Sequence, residues 1–198
     1  MAEDDPIRIR QVETLADDWA VLKKTTFDYR RRDGTWETQV RQTYDRGDGA
    51  AVLPYDPERG TVLLVRQFRY PAYAHGHREK LIEVCAGKLD LDDPETCIRK
   101  EAEEELGYRL GAIEQAFYIF MSPGSVTEKL ALFTAAYAPA DRVSAGGGAV
   151  EEGEDIDVIE MPYAEAMAMV GRGEIIDAKT IILLQHAALK GLLTGGPA

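Results

Sequence analysis

The chain has 198 residues, a formal net charge of −12, and 45% hydrophobic against 29% charged residues. That size suits one domain or a domain with a small appendage, and the acidic balance argues against a nucleic-acid binder. No apolar run is long enough to span a bilayer and the start MAEDDP does not read as a signal peptide. Two cysteines, Cys85 and Cys97, are too few for a disulfide framework and wrongly spaced for zinc, so free thiols in a cytoplasmic protein are expected.

Residues 1–45 read as all-β. Ile7 to Val12 alternates apolar and polar, and Trp19 to Arg31 is a second extended stretch. Asp33-Gly34 is a turn signal, so the chain returns as a hairpin through Trp36 to Tyr44. The remainder, 46–198, reads as one larger domain. Ala50 to Tyr55 and Thr61 to Tyr70 are strands around the turn Asp56-Pro57-Glu58-Arg59-Gly60. Val62 to Val65 is apolar throughout, as in a strand buried on both faces. Arg66 and Arg69 at its end are candidate phosphate contacts or surface ion pairs. His75 and His77 fall in a loop from Pro71 to Lys80 and are read as ordinary loop residues.

A short strand through Ile82, Val84 and Cys85 ends at Ala86-Gly87. Asp93-Pro94 then starts a helix, with Asp as cap and Pro at the first turn. Ile98, Ala102 and Leu106 fall at helical spacing and form its buried stripe. Glu101, Glu104 and Glu105 are related by i, i+3 and i+4, which places three carboxylates on one face of a regular helix. Like charges so placed cost about 0.2–0.5 kcal/mol per pair. A solvated acidic face is one explanation; a platform for Mg²⁺, a hard cation that favours carboxylate oxygens, is the other.

Beyond the helix, Ala112 to Phe120 and Glu128 to Tyr137 are strands separated by a break at Met121-Ser122-Pro123-Gly124-Ser125. Ser144 to Asp155 is a glycine-rich acidic loop. Ile156 to Met161 is a strand, and Tyr163 to Val170 and Ala178 to Leu193 are helices, begun at Pro162 and Asp177. Strands flanking a central helix, with two helices closing the chain, predict an α/β protein: a mixed sheet in an α/β/α sandwich with an N-terminal antiparallel β unit.

Gly87 followed by Lys100-Glu101-Ala102-Glu103-Glu104-Glu105-Leu106-Gly107-Tyr108 resembles the box of the Nudix hydrolases, with Lys100 where the box usually has Arg and a spacer one residue shorter. The stretch DDPETCIRKEA resembles the nucleoside diphosphate sugar branch, GDP-mannose pyrophosphatases first and ADP-ribose pyrophosphatases next. So do Tyr44-Asp45-Arg46-Gly47, Arg66-Gln67-Phe68-Arg69, Met121-Ser122-Pro123-Gly124, the triple glycine from Gly146, and Gly173-Glu174-Ile175 with Lys179-Thr180. The resemblance implies the Nudix fold and hydrolysis of the diphosphate of a nucleotide sugar, with Mg²⁺ as cofactor and Mn²⁺ as a substitute. It implies metal ligands at Ala86, Glu101, Glu105 and Glu154, and catalytic roles for Glu104, Glu105 and Glu154, with Glu151 and Glu152 as alternatives to Glu154. It implies substrate contacts at Trp19, Arg41, Arg69, Glu128 and Lys179, with Trp19 and Arg41 arriving from the second subunit of a domain-swapped homodimer. Val40 stands beside Arg41 where the GDP-mannose branch carries a basic residue, which keeps ADP-ribose open as substrate. A non-catalytic nucleotide-sugar sensor is the alternative of another class, and no nucleic-acid or membrane partner is expected.

Overall fold

The computed structural model describes residues 5–149 and 153–193. It divides into two compact units.

The first unit takes in the chain up to Asp48 together with Phe120–Lys129. Its antiparallel sheet has strands β1 (Ile7–Asp17), β2 (Val21–Arg30) and β3 (Trp36–Asp45), in that order. The turn between β2 and β3 forms where expected. Gly34 has φ +83°, which favours glycine, and the Asp33 carboxylate accepts from the Thr35 amide at 2.9 Å. Tyr44 on β3 donates to the Ser125 carbonyl at 2.8 Å, which ties the Phe120–Lys129 segment to the sheet. Ile9, Val12, Trp19 and Val40 are exposed, so this sheet is held by its ladder and by ion pairs such as Arg10–Asp28 rather than by a core.

The second unit, Gly49–Ile119 and Leu130–Ala198, contains the hydrophobic core. Its sheet runs β10-β5-β4-β9-β8, with β6 added to β5 and β7 to β4. The strands are β4 (Gly49–Asp56), β5 (Thr61–Gln67), β6 (Leu81–Glu83), β7 (Cys85–Lys88), β8 (Ile113–Phe120), β9 (Lys129–Ala136) and β10 (Asp157–Pro162). β4 pairs parallel with β9 and antiparallel with β5 and β7, so the sheet is mixed. Ala50, Val52, Leu63 and Val65 join Ile98, Ala102 and Leu106 in one buried cluster under α2 (Pro94–Glu101). Strand alternation turns Ala51, Leu53, Val62 and Leu64 to the other face, where they are equally buried. There α4 (Ala178–Lys190) packs on β4, and α3 (Tyr163–Arg172) on β5 and β10. Helices on both faces of a mixed sheet meet the α/β/α expectation. Truncating a fully buried leucine such as Leu53 or Leu64 to alanine costs about 2–5 kcal/mol.

Three local expectations need correction. β5 stops at Gln67, because Tyr70–Ala74 forms a short helix, α1, with Pro71 in its first turn where no amide donor is required. The run from Leu81 to Cys85 is two strands rather than one, since the chain crosses from β5 to β4 at Val84. α4 ends at Lys190, three residues early, where Gly191 takes the left-handed cap at φ +62°. Cys85 and Cys97 are both buried free thiols, as expected. Among the described residues no helix is long and apolar enough to cross a membrane.

Candidate active site

The site is built on the crossing at Val84 and on the end of α2. Asp93 caps the helix as expected, accepting from the amides of Glu95 and Thr96 at 3.1 Å, which is worth about 1 kcal/mol. The α-helix stops at Glu101, and Ala102–Leu106 forms a π turn closed by Gly107 at φ +76°. Its i→i+5 bonding needs more residues per turn than an α-helix, so residues four apart still stack while residues three apart swing round.

That geometry corrects the expectation of one shared acidic face. Glu105 is 1% exposed and lies against β7, and Glu101 is half-buried beside it. Glu104 is exposed and lines an outward groove with Thr96, Arg99, Lys100 and Glu103. Glu101 comes so near the backbone of β7 that a Cβ on Gly87 would lie 2.1 Å from its Oε1. Only glycine allows this approach.

Glu105 accepts from the Ala86 amide at 3.3 Å and from the Cys85 thiol. Burial pushes that thiol well above its ordinary range, so it stays protonated as a donor. Among the described residues no lysine or arginine forms an ion pair with Glu105. Burial, with the charges of Glu101 and Glu154 added, raises its carboxyl to about 8. Glu154 thus bears on the same point, although its own carboxylate is turned to the Ala149 amide at 2.9 Å. Glu151 and Glu152 lie outside the described residues.

The loop that carries Glu154 is fastened to the π turn. The carbonyls of Glu105 and Glu104, left without helical partners, accept from the amides of Gly147 at 2.9 Å and Gly148 at 3.2 Å. At Gly146, with φ +69°, a Cβ would lie 2.4 Å from the Glu105 carbonyl oxygen, so the triple glycine permits this seam.

A second cluster adjoins the first. Arg69 donates through Nε and Nη2 to both oxygens of Glu83, each at 3.1 Å, and Lys179 donates to Glu83 Oε2 at 2.7 Å and to Asp177 at 2.9 Å. Glu83 is 2% exposed. Burial alone would raise its carboxyl, but Lys179 and Arg69 outweigh burial and hold it below the ordinary range. Thr180 pins α4 here, donating to Asp177 at 2.6 Å and accepting the Val84 amide at 2.8 Å. Sequence reading missed Glu83, because its position in LIEVC reads as part of an apolar strand. Its signal is a single carboxylate in a run that folding buries.

The other expected substrate contacts belong to the first unit. Trp19 is 66% exposed, with the Arg46 guanidinium 5.4 Å from its ring centre. Arg46 Nε lies 3.0 Å from Glu128, off the hydrogen-bonding direction, as an ion pair. Arg41 sits apart on β3, bonded to the Val40 carbonyl and to Gln39.

The second unit's donors suit a divalent cation. A buried carboxylate with a raised pKa, a second carboxylate admitted by a glycine, and the Ala86 backbone form an oxygen-rich corner. Among the described residues no three acidic, His or Cys side chains converge to enclose an ion by themselves.

Comparison with known proteins gives the family. The family model described as the GDP-mannose pyrophosphatase NudK N-terminal domain covers residues 6–44, and the NUDIX domain model covers 45–184. The chain is 49% identical over 192 residues to a GDP-mannose pyrophosphatase of Pectobacterium atrosepticum, spanning 96% of this chain and 98% of that one. It is 49% identical to the Cronobacter sakazakii protein of the same name, over 90% of this chain and 93% of that one. Identity to the Klebsiella pneumoniae protein is 46%, over 96% and 95%.

Proposed function

The chain belongs to the Nudix hydrolase family, and from that premise we propose that it splits GDP-mannose into GMP and mannose 1-phosphate. Nudix hydrolases generally use a divalent metal, and we assign Mg²⁺, with Mn²⁺ as substitute, to Glu101, Glu105, Glu154 and the Ala86 carbonyl. When bound, the ion supplies charge neutralisation at the phosphoryl oxygens and lowers the pKa of water.

The reaction adds water across the phosphoanhydride: a new P–O bond forms, the bridging P–O bond breaks, and two phosphomonoesters leave. Glu154 is assigned to receive the water's proton, its loop held by the glycine seam at the π turn. Glu104, on the outward side of the π turn, is proposed as a further catalytic carboxylate apart from these ligands. Arg69 and Lys179 present N–H donors to the diphosphate; Trp19, as a surface for the nucleobase, and Arg41 are assigned as contacts from the second subunit of a domain-swapped homodimer, and Glu128 as a further substrate contact. The exposed apolar side chains of the N-terminal sheet support a homodimer formed through residues 1–45, and the free thiols support a cytoplasmic location.

The observation that carries this reading is Glu105, a buried carboxylate near other carboxylates and, among the described residues, without an ion pair to Lys or Arg, set beside the Arg69–Lys179 pair. A non-catalytic sensor has no use for that arrangement. Val40, apolar beside Arg41, favours ADP-ribose as the second substrate to try. The test is Mg²⁺-dependent turnover of GDP-mannose, ADP-ribose and ADP-glucose. GDP-mannose is expected to give the highest kcat/KM; preference for ADP-ribose overturns the substrate, and no turnover of any of them overturns the enzyme.

A further inference from the structure

We propose that Glu83 is a positioning residue of the substrate site, which clamps Arg69 and Lys179 together so that their remaining N–H groups face one diphosphate. The inference rests on the reading of Arg69 and Lys179 as substrate contacts.

Three elements distant in the chain meet at this carboxylate: the end of the loop after β5, the end of β6, and the first turn of α4. Both Glu83 oxygens are engaged, Oε1 by Arg69 and Oε2 by Arg69 and Lys179. Held this close without an anion between them, the two cations would repel. The donor count shows what the clamp leaves. A guanidinium has five N–H donors; Glu83 takes those on one edge, and the Nη1 side stays open among the described residues. Lys179 gives two of its three donors to Glu83 and Asp177. The Glu83 side chain is 2% exposed, that of Lys179 12% and that of Arg69 40%, so the open edge of the pair is mainly that of Arg69.

Glu83, Asp177, Arg69 and Lys179 sum to zero charge, so the cluster does not hold an anion by net attraction. It holds one by aim, with N–H groups fixed in advance of binding. The carboxylate spacing therefore matters along with its charge.

The experiment compares wild type, E83Q and E83D by steady-state turnover of GDP-mannose with Mg²⁺, by titration with GMP, and by thermal melting. Glutamine keeps the shape but turns an NH₂ toward a cation; aspartate keeps the charge but withdraws it by one methylene. Both are expected to raise KM and the GMP dissociation constant about tenfold or more, with kcat affected less and the Mg²⁺ concentration for half-activation unchanged. E83Q is also expected to cost much less in a K179M background than in wild type, since the clamp is already broken there. If E83Q does not fold, E83D carries the same test. Unchanged KM and GMP affinity in a folded variant overturns the clamp, as does full retention by E83D. Wild-type protein that hydrolyses none of the nucleotide sugars overturns the pyrophosphatase reading instead, so the two failures are told apart.

Discussion

Glu83 and Glu105 are both almost wholly buried, yet burial has opposite consequences for them. Glu83 has two cations against it and is held below the ordinary carboxylate range; Glu105 has two carboxylates near it and is pushed up to about 8. The difference teaches how the site divides its work. The charge of Glu83 is balanced within the chain, so it shapes what it touches. The charge of Glu105 has no such balance, and its burial makes chemical sense when a cation arrives with the reaction.

The largest effect expected from this contrast is on catalysis. E105Q keeps the shape of the π turn and removes the uncompensated charge. Turnover should fall by about 100-fold or more, and the rise in melting temperature that Mg²⁺ gives the wild type should vanish. E83Q should keep that rise. If Mg²⁺ stabilises E105Q as it does the wild type, the two carboxylates do not divide the work in this way.

Stability against pH provides the next comparison. Glu105 moves from 4.5 in the unfolded chain to about 8 in the fold, so its protonated form favours folding. That contribution is fully present below 4.5 and is lost as pH rises through about 8, amounting to roughly 5 kcal/mol across the window. For protein stripped with EDTA, denaturant unfolding should show stability falling over this range, and E105Q should flatten the fall. Glu83 runs the other way: its folded carboxyl is depressed, so its contribution is present above 4.5 and lost as pH falls through the depressed value. A stripped protein whose stability does not decline toward pH 8 contradicts the burial argument for Glu105.

The smallest effect concerns the N-terminal sheet, where no charged side chain is buried among the described residues. Val12 is 54% exposed on β1. V12E should weaken self-association about tenfold, read by light scattering across a dilution series, while the circular dichroism spectrum stays that of wild type. Unchanged association, or a wild type that does not self-associate, overturns the proposed dimer through residues 1–45.

Much of this was legible along the chain, because it depends on neighbours a few residues apart. The Asp33-Gly34 turn, the Asp93-Pro94 cap, the buried stripe of Ile98, Ala102 and Leu106, and the doubly buried run of β5 all follow from local periodicity and turn chemistry. The Nudix box was equally plain in Gly87 and the glutamates from Glu101, and Arg69 and Lys179 stood out by resemblance. What sequence could not supply was the π turn, which separates Glu104 from Glu101 and Glu105, and the crossing at Val84, which splits one apparent strand between two partners. Nor could it give Glu83 its role. The carboxylate meets Arg69 across 14 residues and Lys179 across 96, and no local pattern encodes such a meeting. Composition and spacing set which side chains are available. The sheet order alone decides which of them share a buried corner, and burial there decides whether a carboxylate is a clamp for the chain's own cations or a seat for an ion from outside.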